Sequence, residues 1–203
     1  MTNNIETQEL KERLSLIENM LAEGRHTTSS WGWSFVLWGV AYFVAIAWST
    51  LGRSNFAWPV TMIATSILTA VISSRMTSKQ PGRTIGRALG AIWIGVGCSM
   101  FILFLSAGIS NRMDAQTFIA VVAAMLGSAN AASGILLKWK AQFTCALVWW
   151  IAAVVSCFGT PLQSEIAGGT ALFLCQIVFG IYMMVLEARE RKSLNGNAGR
   201  LHA

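Results

Sequence analysis

Six apolar stretches follow one another along the chain, at residues 31–50, 56–74, 87–109, 117–137, 142–158 and 166–186, separated by short polar breaks. A hydrocarbon layer about 30 Å thick is crossed by roughly 20 residues of helix rising 1.5 Å each, and every stretch comes close to that length. Apolarity within each is continuous rather than alternating, which selects α-helices over the strands of a membrane barrel. The fourth is the clearest case, because Phe118 to Leu137 holds no ionisable group and offers no polar face to water. A chain of 203 residues has too little other material to cover six such helices as a soluble core. The pattern predicts an all-α polytopic membrane protein, with a six-transmembrane-helix bundle over residues 27–192.

Before the first crossing the period changes. Leu10, Leu14, Ile17 and Leu21 recur at spacings of four, three and four, which is one stripe of an amphipathic helix. Asn3 followed by Glu6 matches a capping-box start, and Gly24 is placed to end the helix. Residues 1–26 thus read as a short cytoplasmic amphipathic helix, and residues 193–203 as a flexible cytoplasmic tail. Either the stripe packs on the protein's own bundle or it is a contact surface for another protein. Adhesion to anionic lipid is opposed by Glu6, Glu9, Glu12, Glu18 and Glu23, which outnumber Lys11, Arg13 and Arg25. This polar, mildly acidic start is also unlike a secretory signal.

Charge adds orientation. Lys11, Arg13, Arg25, Arg75, Lys79, Arg83, Arg87, Lys138, Lys140, Arg189, Arg191, Lys192 and Arg200 all fall on one side of the six-crossing scheme, and only Arg53 and Arg112 on the other. The positive-inside rule then puts both termini in the cytoplasm, as an even number of crossings requires. Trp31, Trp33, Trp58 and Trp139 stand near segment ends, where an indole has its apolar body in lipid and its nitrogen in the interface. The net charge of +6 is thereby explained by topology. Dispersed basic residues interleaved with Glu187 and Glu190 argue against direct nucleic acid binding.

Small residues suggest how the helices associate, since lipid already satisfies apolar surface and packing needs close approach. Gly86 and Gly90, then Ala91, Gly95 and Ser99, form steps along the third crossing; Ala123, Gly127 and Ala131, beside Ala124, Ser128 and Ala132, do so along the fourth. The tightest contact is expected between these two crossings, with a homodimer seam as the other use of such a face. The outer ends of the first, third and fifth crossings read WSTLG, LSAG and VSCFG, so the chain can be divided into three repeated hairpins.

Chemistry is sparse. No charged residue stands in the middle of any crossing, which removes the usual marks of proton relays, voltage sensors and carboxylate-lined channels. No nucleophile elbow, HExxH pair or phosphate-cradling loop is present, so the expectation is no enzyme. His26 and His202 lie in the terminal regions, and Cys98, Cys145, Cys157 and Cys175 fall inside crossings without metal-ligand spacing. Neither a metal nor a cofactor is expected, and the cysteines read as reduced packing residues. What stands at mid-depth is neutral and polar: Tyr42, Thr65, Ser66, Ser99, Asn130 and Gln176. If these converge they line a midplane site for a neutral solute; otherwise they make ordinary bonds between helices.

The acidic amphipathic helix ending in Glu23, Gly24 and Arg25, followed by Thr27, Thr28 and a first crossing rich in Trp and Gly (Trp31, Gly32, Trp33, Trp38, Gly39), resembles a group of small uncharacterised bacterial six-helix integral membrane proteins. That resemblance implies a regulatory membrane partner, because such proteins are often found beside small winged-helix transcription regulators. The resulting expectation is a bacterial inner-membrane protein, non-enzymatic, acting as an accessory or signalling partner through Leu10, Leu14, Ile17 and Leu21. Its partners would be the lipid bilayer, a cytoplasmic protein and a second copy of the chain. The alternative is a small transporter or carrier for a neutral or amphipathic solute.

Overall fold

The computed structural model describes residues 8, 10–15, 31–52, 56–76, 84–110 and 113–201. Among them every regular element is a helix: α1 (Gly32–Leu51), α2 (Ala57–Met76), α3 (Thr84–Ser110), α4 (Ala115–Leu136), α5 (Lys140–Phe158) and α6 (Pro161–Leu172), then a π-helical segment (Phe173–Val178) that runs into α7 (Phe179–Leu201). Six crossings result, because α6, the π segment and α7 form one continuous rod whose apolar window is Pro161–Arg189. The protein is an all-α polytopic bundle of six membrane-length helices.

Local chemistry sets the helix ends. Asp114 caps α4, accepting from the Thr117 amide at 3.0 Å and from its hydroxyl at 2.7 Å. The last crossing begins at Pro161, five residues earlier than its apolarity suggests. There Thr160 and Gln163 form a reciprocal capping box with Pro161 at the first helical position. At the other end the expected flexible tail is helical as far as Leu201. Residues 187–201 contain no proline to stop the helix.

The crossings are unequally packed. Half of the α4 window is buried but only 6% of the α3 window. The tightest pair is α4 with α5, not α3 with α4. Gly134 of α4 lies so close to α5 that an added Cβ would stand 2.8 Å from the Phe143 backbone nitrogen, and one on Gly127 would run into the Trp150 indole. By contrast, Gly90, Gly95 and Gly97 of α3 have nothing within 4 Å of an added Cβ. Small residues permit close approach without dictating it. A connection of only three residues, Leu137 to Trp139, is what forces α4 and α5 together as antiparallel neighbours. Of the two small stripes on α4, Ala123, Gly127 and Ala131 are buried, whereas Ala124 and Ser128 face outward.

The first crossing closes against the last. Gly32 and Gly180 approach reciprocally, each with the other's carbonyl oxygen within 3 Å of an added Cβ, and Gly39 meets Gln176 and Ile177. The start of α1 therefore lies beside α7, so the two ends of the membrane domain share one side with Arg75, Arg87, Lys138, Lys140, Arg189 and Lys192, here called the basic end. Edge-on ring contacts join the elements there: Phe35 to Trp93 of α3 at 5.3 Å and to Phe179 at 5.7 Å. At the opposite end a second aromatic chain runs from Tyr42 to Trp58, Phe104 and Phe118, with centroids about 6.1 Å apart at each step. Of the three proposed hairpin ends, Gly52 and Gly159 cap their helices, whereas Gly108 lies inside α3.

Candidate functional site

The six mid-depth polar residues separate into three groups. Ser66 and Ser99 face outward, and each hydroxyl donates to its own helix, to the Met62 carbonyl at 2.8 Å and the Gly95 carbonyl at 2.9 Å. They line no common site, because back-bonding to the residue four earlier satisfies a serine without any neighbour. Thr65 is buried but bonded in the same way, to Thr61 at 2.7 Å, within a ladder that continues to Thr69. Tyr42 is half-buried and belongs to the aromatic chain, between Trp38 and Trp58. Only Asn130 and Gln176 are both buried amides, at 0% and 4% exposure. They occupy different interfaces. Gln176 lies in the π segment against Gly39 of α1, whereas Asn130 is on α4, whose main neighbour is α5.

Asn130 has other company. Its amide nitrogen donates to the Leu126 carbonyl at 2.9 Å, but its Oδ1 has no partner among the described residues. The same is true of the Ser133 hydroxyl, both amide atoms of Gln142 and the Trp149 indole nitrogen, all on α4 or α5 and all buried. The contacts of Gly127 with Trp150 and of Gly134 with Phe143 fix the antiparallel register. In that register Ser133 and Gln142 differ in depth by only about 3 Å, as do Asn130 and Trp149, at 1.5 Å per residue. A polar group left unsatisfied in a protein interior costs about 1–3 kcal/mol, so this is the most demanding arrangement in the bundle. Ser133, Gln142 and Trp149 went unrecognised in the sequence. For Gln142 and Trp149 the available signal was the 3–4 spacing of Gln142, Cys145 and Trp149 on one face of α5.

The end opposite the basic one is tied by satisfied bonds. Gln116 Nε2 donates to the carbonyls of Ser156 and Gly159, both at 2.7 Å, and joins the start of α4 to the end of α5. The Ser164 hydroxyl donates to Ser156 Oγ at 2.8 Å in a buried contact that adds α6. Gln116 and Ser156 also border a cleft of about 380 Å³, lined with them by Asp114, Thr117, Ala120 and Cys157. Its one carboxylate, Asp114, is held below the ordinary range by the Thr117 hydroxyl and then by the Thr117 amide.

At the basic end a second cleft, about 360 Å³, is lined by Gly134, Lys138, Trp139, Lys140, Phe143 and Thr144. Lys138 ends α4 in the left-handed region, at φ 49°, where glycine is the usual occupant. Of the N-terminal stripe, Leu10 and Leu14 are exposed at 63% and 53%, on a helical stretch whose described residues are all exposed; Ile17 and Leu21 lie outside the described residues. All four cysteines are free thiols, with Cys175 Sγ 3.5 Å from the Cys145 carbonyl oxygen. Among the described residues no group of three His, Cys, Asp or Glu is placed to hold a metal. No family model, curated protein or solved structure matches the chain.

Proposed function

We propose that the protein is a non-enzymatic accessory or signalling component of the bacterial inner membrane, with both termini in the cytoplasm, that docks a cytoplasmic protein on its N-terminal helix. The observation that carries this reading is the exposure of Leu10 and Leu14: the described part of the stripe is not consumed by the bundle. Two leucines one turn apart on a short helix suit the helix-in-groove mode, in which apolar anchors at this spacing enter a partner's cleft. Gathering of the basic residues at the end that both termini share supports the orientation. The test is mild-detergent affinity purification from native membranes of the wild type and of a Leu14→Glu, Ile17→Glu variant. A stoichiometric cytoplasmic protein that is lost in the variant, with membrane insertion unchanged, is the expected result. Identical co-purification by both forms overturns the reading, and a reporter fused after Ala203 that proves periplasmic overturns the orientation.

A second reading, a carrier for a small neutral or amphipathic solute, is favoured by one observation, the wholly buried Asn130 with its free Oδ1. Under it Asn130→Leu abolishes uptake and the N-terminal helix is dispensable.

A further inference from the structure

Four residues of the α4–α5 seam present a hydrogen-bonding surface that nothing else among the described residues answers. Asn130, Ser133 and Gln142 are 0% exposed and Trp149 is 3% exposed, and five of their side-chain atoms lack a protein partner. The set is neutral and mixed. Trp149 Nε1 and Gln142 Nε2 donate, Asn130 Oδ1 and Gln142 Oε1 accept, and the Ser133 hydroxyl does both. An ion would find no opposite charge among these four, and a ligand that only donates or only accepts would leave half of the set unanswered. The occupant must be neutral and able to do both.

Size narrows it further. The two helices are in backbone contact at Gly134 and Phe143, and neither cleft described above is lined by Asn130, Ser133, Gln142 or Trp149. A solute of several heavy atoms would have to part the helices, whereas water answers two to four polar groups from a site scarcely larger than itself. Access is one-sided. The polar end of the seam is the one nearest the basic end, because Gln142 stands in the first turn of α5. Beyond Trp149 the buried face of α5 continues as Ala152 and Ala153, and that of α4 beyond Asn130 as Leu126 and Ala123, with nothing polar in between.

We propose that the α4–α5 seam is an internal hydration site, in which bound water bridges Gln142 to Ser133 and Asn130 to the Trp149 indole, fills from the basic end and stops at the alanine and leucine layer. It is a polar half-path, not a pore, and it stands independently of the docking reading.

The test is water-edited solid-state NMR of the protein in lipid bilayers, with 15N-labelled Trp, Gln, Asn and Ala. Magnetisation transfer from water to Trp149 Nε1 and Gln142 Nε2 should build up several-fold faster than to the Ala152 amide. Asn130→Leu should slow transfer to Trp149 while leaving that to Gln142. Should that variant fail to fold, Ser133→Ala should slow transfer to Gln142 alone. Build-up at Trp149 and Gln142 as slow as at Ala152 overturns the proposal, as does a scalar coupling across a direct bond from Gln142 Nε2 to Asn130. A neutral solute that co-purifies and is released by Asn130→Leu overturns water as the occupant. Proteoliposomes that pass water faster than protein-free vesicles overturn the one-sided closure.

Discussion

Replacing Gly134 by alanine tests the account of how this bundle is held together. The added Cβ would stand 2.8 Å from the Phe143 backbone nitrogen and 3.1 Å from its Cα, atoms that no rotamer change moves aside. Gly134 also accepts the 2.8 Å bond from the Trp139 amide that closes the α4–α5 turn, so shifting its backbone strains the turn as well. One extra methyl in a packed interface costs about 1–3 kcal/mol. Against this, alanine is favoured over glycine in a helix interior by about 1 kcal/mol. Gly95→Ala in α3 separates the two effects, because nothing lies within 4 Å of its added Cβ and only the propensity term acts there. The difference between the variants should thus be about 1–3 kcal/mol, with Gly134→Ala the less stable. Gly127→Ala should fall between them, since the Trp150 indole it strikes is 37% exposed and free to swing toward lipid. Unfolding in mixed micelles by rising SDS fraction, followed by tryptophan fluorescence, gives the three values. If Gly134→Ala and Gly95→Ala agree within about 0.5 kcal/mol, the scale of a neutral surface substitution, the backbone contact between α4 and α5 is not what orders this bundle.

Gln116→Leu removes two side-chain bonds across the α4–α5 end and should destabilise by about 1–3 kcal/mol, with faster amide exchange confined to residues near Ser156 and Gly159. Lys138→Gly relieves a left-handed backbone at φ 49° and should stabilise by about 1 kcal/mol in the same micelle assay; a loss of stability would mean that the lysine side chain outweighs the strain. Asp114 has a lowered folded pKa, so its contribution is complete above its ordinary value of 3.8 and disappears as pH falls through the lower folded value. Asp114→Asn should accordingly flatten the acid limb of the stability profile, and an unchanged limb would assign it to other carboxylates.

The crossings were legible because apolarity over 20 residues has one structural solution in lipid. The start of the last crossing was written in Thr160, Pro161 and Gln163, a capping box hidden by the polar look of the residues around it. Which glycine stripe packs was not legible. Gly95 and Gly127 are equivalent in sequence, and only the short α4–α5 turn decides that the second meets a neighbour. Nor was the buried polar seam. Gln142 stands in the first turn of its helix, where hydropathy places it at the interface, and only the register with Gly134 and Phe143 brings it inside. The helix also runs on through the expected flexible tail as far as Leu201, since no proline in residues 187–201 breaks it.

The π segment carries a consequence for how this chain tolerates editing. Ala171, Cys175, Phe179 and Met183 are all buried at a strict spacing of four. At 3.6 residues per turn, twelve residues advance by about a third of a turn beyond three, enough to carry Met183 off the packed face. Each π turn absorbs one residue more than an α turn, which brings the count back into phase. Deleting one residue usually ruins a transmembrane helix by rotating everything downstream. Between Phe173 and Val178 the same deletion would return the rod to plain α-helix and still direct Phe179 and Met183 inward. A length change at this place in the last crossing is therefore nearly silent for packing, whereas a residue lost near Ile166 would turn the whole contact with α1 toward lipid.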